Sequence, residues 1–206
     1  MNTTILVFAM EAEQQAFLNA LKTPIHKFST HHETMINPNH HVKVVLTGIT
    51  MLQCYRLLPF LSNPTPTEVI QVGTCAGLRN QTIGDVVHAK TFFNNDLDLT
   101  TFGRPLGRLF VGKKPVVIHP VLVSGSTFLA SKEASQKVID QFDADAFDME
   151  SFGFYTMCET LKIPFTSIRG VSDNGQTHAN QSFEKNLAFA SKQAAIATLT
   201  YLEKRR

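Results

Sequence analysis

Four residues whose chemistry could cooperate stand at four places where the chain leaves a strand. Glu13 follows the apolar run that ends at Ala9-Met10. Thr74 lies in Gly73-Thr74-Cys75-Ala76-Gly77, directly after Glu68 to Val72. Glu150 closes Asp148-Met149-Glu150, and Asp173 closes Ser172-Asp173 after Phe165 to Gly170. In open α/β sheets ligands bind beyond the carboxyl ends of the strands, so these four can converge on one sheet edge. Three of them are carboxylates, which repel one another unless separated, hydrogen-bonded or protonated. Such a group suits acid–base work on a small polar molecule: one carboxylate stays ionised as a base, and another is desolvated, holds its proton and acts as an acid. Each residue also has a plainer reading. Glu11 and Asp148 could serve only as acidic partners of a helix N-terminus, and Gly73 and Gly77, with no Lys behind them, form no phosphate loop and read as turn residues.

The elements that must carry these residues alternate in type. Strands are expected at Thr3 to Ala9, His41 to Leu46, Glu68 to Val72, Gly84 to Phe93, within Pro115 to Val123, at Ala144 to Met149 and at Phe165 to Gly170. Helices are expected at Glu11 to Lys22, Met51 to Leu61, Lys132 to Phe142, Ser151 to Leu161, and from a Ser182 cap to Glu203. The polar stretch His26 to His40 reads as a hairpin. This order implies an α/β fold: a single domain over 1–206, three-layer α/β/α, with a mixed, partly curled central sheet.

Composition narrows the function classes. The chain has 206 residues, and 19 basic against 17 acidic side chains leave a net charge of +2. The densest basic stretches are Lys113-Lys114 and Lys204-Arg205-Arg206, so no nucleic-acid partner is expected. No apolar run approaches the roughly 18–20 residues of a membrane helix. No basic residue precedes Ile5 to Met10, and acids follow it, so a secretory signal is not expected. Three widely spaced cysteines, Cys54, Cys75 and Cys158, suit a reducing cytoplasm better than a disulfide framework or a zinc site. The His31-His32 and His40-His41 pairs sit in a polar stretch and lack metal-ligand spacing, so no metal is expected. The 16 Phe, beside 3 Tyr and no Trp, can fill a core or line an apolar pocket.

Four motifs in fixed order resemble the nucleoside phosphorylase superfamily, and within it the methylthioadenosine/S-adenosylhomocysteine nucleosidases: Ala9-Met10-Glu11-Ala12-Glu13, Gly73-Thr74-Cys75-Ala76-Gly77-Leu78, Asp148-Met149-Glu150 and Ile168-Arg169-Gly170-Val171-Ser172-Asp173. Weaker matches at Gly84-Asp85-Val86-Val87, Asp96-Leu97-Asp98 and Val123-Ser124-Gly125 extend it from Ala9 to about Gln193. The resemblance implies hydrolysis of the N-glycosidic bond of a purine nucleoside without a cofactor. It implies that Asp173, helped by Ser172, protonates N7 of the base, and that Glu13 activates water. Glu150 would accept hydrogen bonds from the ribose hydroxyls, with Met149 against the sugar. Phe128 would stack on the purine, Leu129 would read its edge through the backbone, and Phe183 would cover the ligand. Met10, Thr74, Cys75, Ala76 and Gly77 complete the implied substrate contacts. A homodimer is implied too, with the Phe102 region reaching a neighbouring subunit.

The sequence also departs from the family pattern. Thr50 stands where a second Gly is common, Asp148 replaces a Glu, Ala76 replaces a Gly, Ser126-Thr127 precede Phe128, and Arg104 to Pro120 is too short for the helix that relatives place there. Gln71 and Val72 precede Gly73, and no Arg lies between Glu13 and Lys22, which favours water over phosphate as the nucleophile. A phosphorylase, a hydrolase of another nucleoside or nucleotide, and a silent nucleoside-binding relative remain as alternatives.

Overall fold

The computed structural model describes residues 2–62, 64–108 and 117–204. Among them ten strands form one mixed sheet. β1 (Asn2–Phe8) lies between β4 (His40–Leu46) and β5 (Glu68–Gly77), parallel to both. The hairpin of β2 (Ile25–Lys27) and β3 (His32–Asn37) extends the β4 edge in antiparallel fashion. At β5 the sheet branches. β10 (Phe165–Asp173) runs parallel to β5 over most of its length and carries β6 (Val86–Ala89) antiparallel on its outer side. The last two residues of β5 also pair, antiparallel, with β9 (Ala146–Asp148), which continues through β8 (Val121–Ser124) to β7 (Thr91–Asn94).

The alternation of side chains along each strand builds the layers. Leu6 and Phe8 of β1 enter one cluster with Phe17 and Leu18 of α1 (Glu11–Ala20) and Ala194, Ala195 and Leu202 of α4 (Ala179–Glu203). Ile5 and Val7 point the other way, into a cluster with Leu57 and Leu61 and with Phe154 and Cys158 of α3 (Ser151–Thr160). Helices therefore cover both faces, as the three-layer expectation required. A further cluster packs α2 (Lys132–Phe142), through Val138 and Phe142, onto Val121 and Val123 of β8.

Several expected boundaries move, each for a physical reason. Met51–Phe60 is a 3₁₀ helix rather than an α-helix. Pro59 lacks the N–H that an α-helical bond would need, and the apolar side chains fall into rows three apart: Cys54, Leu57 and Phe60 inward, and Leu52, Tyr55 and Leu58 outward. The Gly73–Gly77 segment is strand, not turn, because β10 pairs alongside it: Arg169 with Gly73, Gly170 with Thr74 and Val171 with Cys75. The stretch expected as one strand from Gly84 to Phe93 divides into β6 and β7 around Lys90, since β6 pairs with β10 and β7 with β8. Ser182 does not cap the last helix. α4 begins at Ala179 behind a left-handed His178, and the Ser182 hydroxyl donates to the carbonyl of Ser172. Within Pro115 to Val123 only β8 is strand among the described residues, and Lys113-Lys114, Arg205-Arg206 and Pro115 lie outside them.

β10 is held at closest approach to α4 by Gly170. A Cβ there would sit 2.1 Å from the carbonyl oxygen of Ala190, helix backbone that has nowhere to yield. Gly170→Ala is expected to lower thermal stability by about 1–3 kcal/mol through overpacking, read as a fall in Tm by circular dichroism; an unchanged Tm would show that α4 can shift outward at no cost.

Candidate active site

The carboxyl ends of β1, β5, β9 and β10 open onto one cavity of about 280 Å³. Its walls come from Met10 and Glu13 at the start of α1, Thr74, Cys75 and Ala76 of β5, the Phe147–Glu150 turn, Ser172 and Asp173 at the end of β10, Phe128 and Leu129 before α2, and the first turns of α4. The structure thus brings Glu13, Thr74, Glu150 and Asp173 together. Met10, Cys75, Ala76, Phe128, Leu129, Met149, Ser172 and Phe183 line the same space. Gly77 does not. It lies one step down the strand, paired with Ala146, and a Cβ on it would crowd Gln81 and Val171 at 2.9 and 3.0 Å.

Glu13 is fixed from three sides. Its Oε1 accepts the Thr74 N–H at 2.8 Å and the Thr74 hydroxyl at 3.0 Å, and its Oε2 accepts the Met10 N–H at 3.1 Å. Burial raises its pKa, and the Arg169 charge with these hydrogen bonds opposes the rise. The carboxylate lies against β5 because residue 73 is glycine. A Cβ there would stand 2.6 Å from both Glu13 Oε1 and Arg169 Nη1.

Arg169 is the feature that residue spacing alone did not single out. It is 1% exposed, and it is flanked by Asp148, Glu150 and Glu13. Its Nη2 donates to Asp148 Oδ2 and, at 3.4 Å, to Glu150 Oε2, while its Nε donates to Ser167 Oγ at 3.0 Å. Asp148 is saturated: Ser124 and Ser151 donate their hydroxyls and Glu150 and Ser151 their backbone N–H groups. Glu150 is less well served: among the described residues it accepts from Arg169 and from the Thr50 N–H at 3.3 Å. Its pKa is pushed up to about 8, first by burial and then by the neighbouring Asp148 charge. The sequence signal for Arg169 was a lone cation inside an otherwise uncharged strand interior.

Asp173 stands apart from this cluster. The ladder between β10 and β5 skips Ser172, since Val171 pairs with Cys75 and Asp173 with Ala76, and this bulge re-aims the strand end. Asp173 Oδ1 accepts the Gly175 N–H at 2.9 Å and Oδ2 the Ser172 hydroxyl at 2.9 Å. Burial outweighs both bonds and raises its pKa. Opposite, Phe128 and Phe183 meet edge to face with centroids 5.8 Å apart, forming an aromatic wall. Burial raises the Cys75 thiol strongly, so it is no nucleophile. Other lining residues not foreseen as ligand contacts are Ile49, Phe147, Asn180 and Glu184; Asn180 arrives because α4 begins at Ala179, ahead of the expected Ser182 cap. Among the described residues no cluster of His, Cys, Asp or Glu is arranged to hold a metal ion.

Glu150 also gives stability a sign with pH. Its pKa lies near 8 in the folded chain against an ordinary 4.5, so between those values the native state holds a proton that the unfolded state has released. Its contribution therefore weakens as pH rises through this window. Glu150→Gln is expected to flatten the fall in Tm between about pH 5 and 8 relative to the parent; parallel Tm profiles would show that Glu150 is ionised throughout.

The family model described as the phosphorylase superfamily matches residues 111–203. A 5′-methylthioadenosine/S-adenosylhomocysteine nucleosidase of Staphylococcus aureus is 28% identical, with 95% of each chain covered. Among solved structures, a nucleosidase of the same name from Neisseria meningitidis, in complex with methylthio-immucillin-A, superposes with a TM-score of 0.85 at 22% identity over 99% of this chain and 100% of that one. The futalosine hydrolase of Helicobacter pylori gives 0.82 at 21% identity over 100% and 98%. The matched segment, this relative and these folds all show similarity to the phosphorylase superfamily and its nucleosidases.

Proposed function

We propose that this protein is a purine-nucleoside N-ribosyl hydrolase acting on 5′-methylthioadenosine and S-adenosylhomocysteine, with Asp173 as general acid and Glu13 as general base. The observation that carries the reading is the meeting, in the lining of one cavity, of a buried Asp173 inclined to keep its proton and a Glu13 oriented by Thr74 and Met10. The Staphylococcus aureus relative supports the substrate class, and its similarity extends over nearly the whole chain.

Asp173 delivers its proton to N7 of the purine, and the C1′–N9 bond breaks as its electron pair moves into the base. Positive charge develops on the ribose ring and is stabilised by the carboxylates around it. Glu13 takes a proton from water as the water oxygen bonds to C1′. Arg169 is a positioning residue: it pairs with Asp148 and Glu150, and its charge opposes the rise that burial imposes on Glu13. Glu150 and Met149 hold the ribose, Phe128 and Phe183 pack on the ligand, and backbone groups of Leu129 read the edge of the base. Cys75 and Ala76 contribute strand backbone to the cavity floor. No Lys, Arg or His stands among the described residues lining the cavity, which favours water over a phosphate dianion.

The molecule acts as a homodimer in this reading. Leu52, Tyr55 and Leu58 form an exposed apolar ridge along the 3₁₀ helix, continuous with Ile49 at the cavity, and Phe102 is 78% exposed. Three free cysteines suit a cytoplasmic location. No helix among the described residues is long and apolar enough to cross a membrane.

Incubation of the purified chain with 5′-methylthioadenosine is expected to release free adenine at the same rate with and without phosphate. A strict need for phosphate, with a pentose 1-phosphate as product, would replace the hydrolase by a phosphorylase. Asp173→Asn is expected to cut kcat by at least about 100-fold while ligand binding is retained, and the alkaline limb of the parent's pH profile, where Asp173 loses its proton, is expected to vanish. A variant with near-parental turnover would remove Asp173 from the mechanism.

A further inference from the structure

The rim of the cavity holds one charged group that the proposed reaction does not use. Four lining carboxylates, those of Glu13, Asp148, Glu150 and Asp173, are buried. The fifth, Glu184, is exposed. Asn180, Phe183 and Glu184 are spaced i, i+3, i+4, which places them on one face of α4, and that face is the one turned to the cavity. The adjacent Lys185 is rotated about 100° from it by helical geometry. The other exposed lining residues, Ile49, Phe128 and Asn180, are uncharged, so Glu184 alone sets the sign of charge at this rim among the described residues.

Size decides what meets it. At about 280 Å³ the cavity lies at the small end of ligand sites, which run from roughly 300 to 1,000 Å³. A nucleoside fills such a space. A longer 5′ extension must leave through the mouth and pass the rim.

We infer that Glu184 is a specificity-determining residue that selects nucleosides by the charge of their 5′ extension, favouring a cationic tail and disfavouring an anionic one. The inference rests on the nucleoside-hydrolase reading for its ligand class. An ammonium on the tail gains a carboxylate partner at the mouth. A carboxylate or phosphate there meets Glu184 at the rim, with no lining cation among the described residues to offset it.

The test compares two adenosines of matched length, one carrying a 5′-(2-aminoethyl)thio tail and the other a 5′-carboxymethylthio tail. Both are measured by kcat/KM and by calorimetric binding, with the parent and with Glu184→Gln. The parent is expected to prefer the ammonium tail by roughly three- to tenfold, mostly in KM, as suits an exposed ion pair. The preference should shrink as salt is raised to about 1 M, and the ratio between the two tails should approach one in Glu184→Gln. Equal affinities in the parent, or a preference that survives in the variant, would overturn the inference. Hydrolysis of 5′-methylthioadenosine by the same parent preparation reports separately on the reaction. If that fails, the calorimetric ratio still decides the role of Glu184.

Discussion

A single guanidinium holds this site together. Arg169 is buried among Asp148, Glu150 and Glu13, where three carboxylates without a cation would face severe mutual repulsion and desolvation. The one positive charge is divided unequally. Asp148 takes the strong interaction together with its serine and backbone donors, Glu150 receives a longer contact, and Glu13 is influenced through the field rather than through a bond. Burial raises the pKa of both Glu150, to about 8, and Glu13, and the Arg169 charge opposes each rise; Glu13 has the further donors of Thr74 and Met10, and Glu150 that of Thr50.

Much of the surrounding structure can be understood as making room for that ion. Gly73 lacks the Cβ that would collide with both Arg169 and Glu13. Ser167 and Ser151 use their hydroxyls on Arg169 instead of packing as apolar side chains. Asp173, beyond the bulge at Ser172, is kept out of the cluster, and burial raises its pKa against the Gly175 and Ser172 hydrogen bonds. The two carboxylates proposed as acid and base, Asp173 and Glu13, are thereby held in different environments within one cavity, which is the condition for such a pair to work at one pH.

The alternation of strands and helices was legible in the chain because apolar periodicity and turn residues agree there, as in His41 to Leu46 and Lys132 to Phe142. The site was legible because its residues sit at strand ends in four motifs of fixed order. What escaped depends on long-range pairing. Gly73 to Gly77 has the composition of a turn, yet becomes strand once β10 lies beside it. The 3₁₀ helix contains Pro59 and packs a single row of side chains spaced three apart, Cys54, Leu57 and Phe60, against the sheet, and the extra turn of α4 that delivers Asn180 to the cavity begins at a left-handed His178 that no capping residue announces.

The sequence by itself determined the layer architecture, the chemical types available at the sheet edge and their resemblance to nucleosidases, since these depend on local pattern and on order along the chain. Only the tertiary structure decided which acid meets which donor. It assigned Arg169 to Asp148 and Glu150, gave Glu13 to Thr74, removed Gly77 from the cavity and set Glu184 on its rim. The physical reason is that charge pairing and desolvation act through space. Residues separated by 61 positions, as Glu13 and Thr74 are, acquire their chemistry from strands the sequence cannot place side by side without the fold.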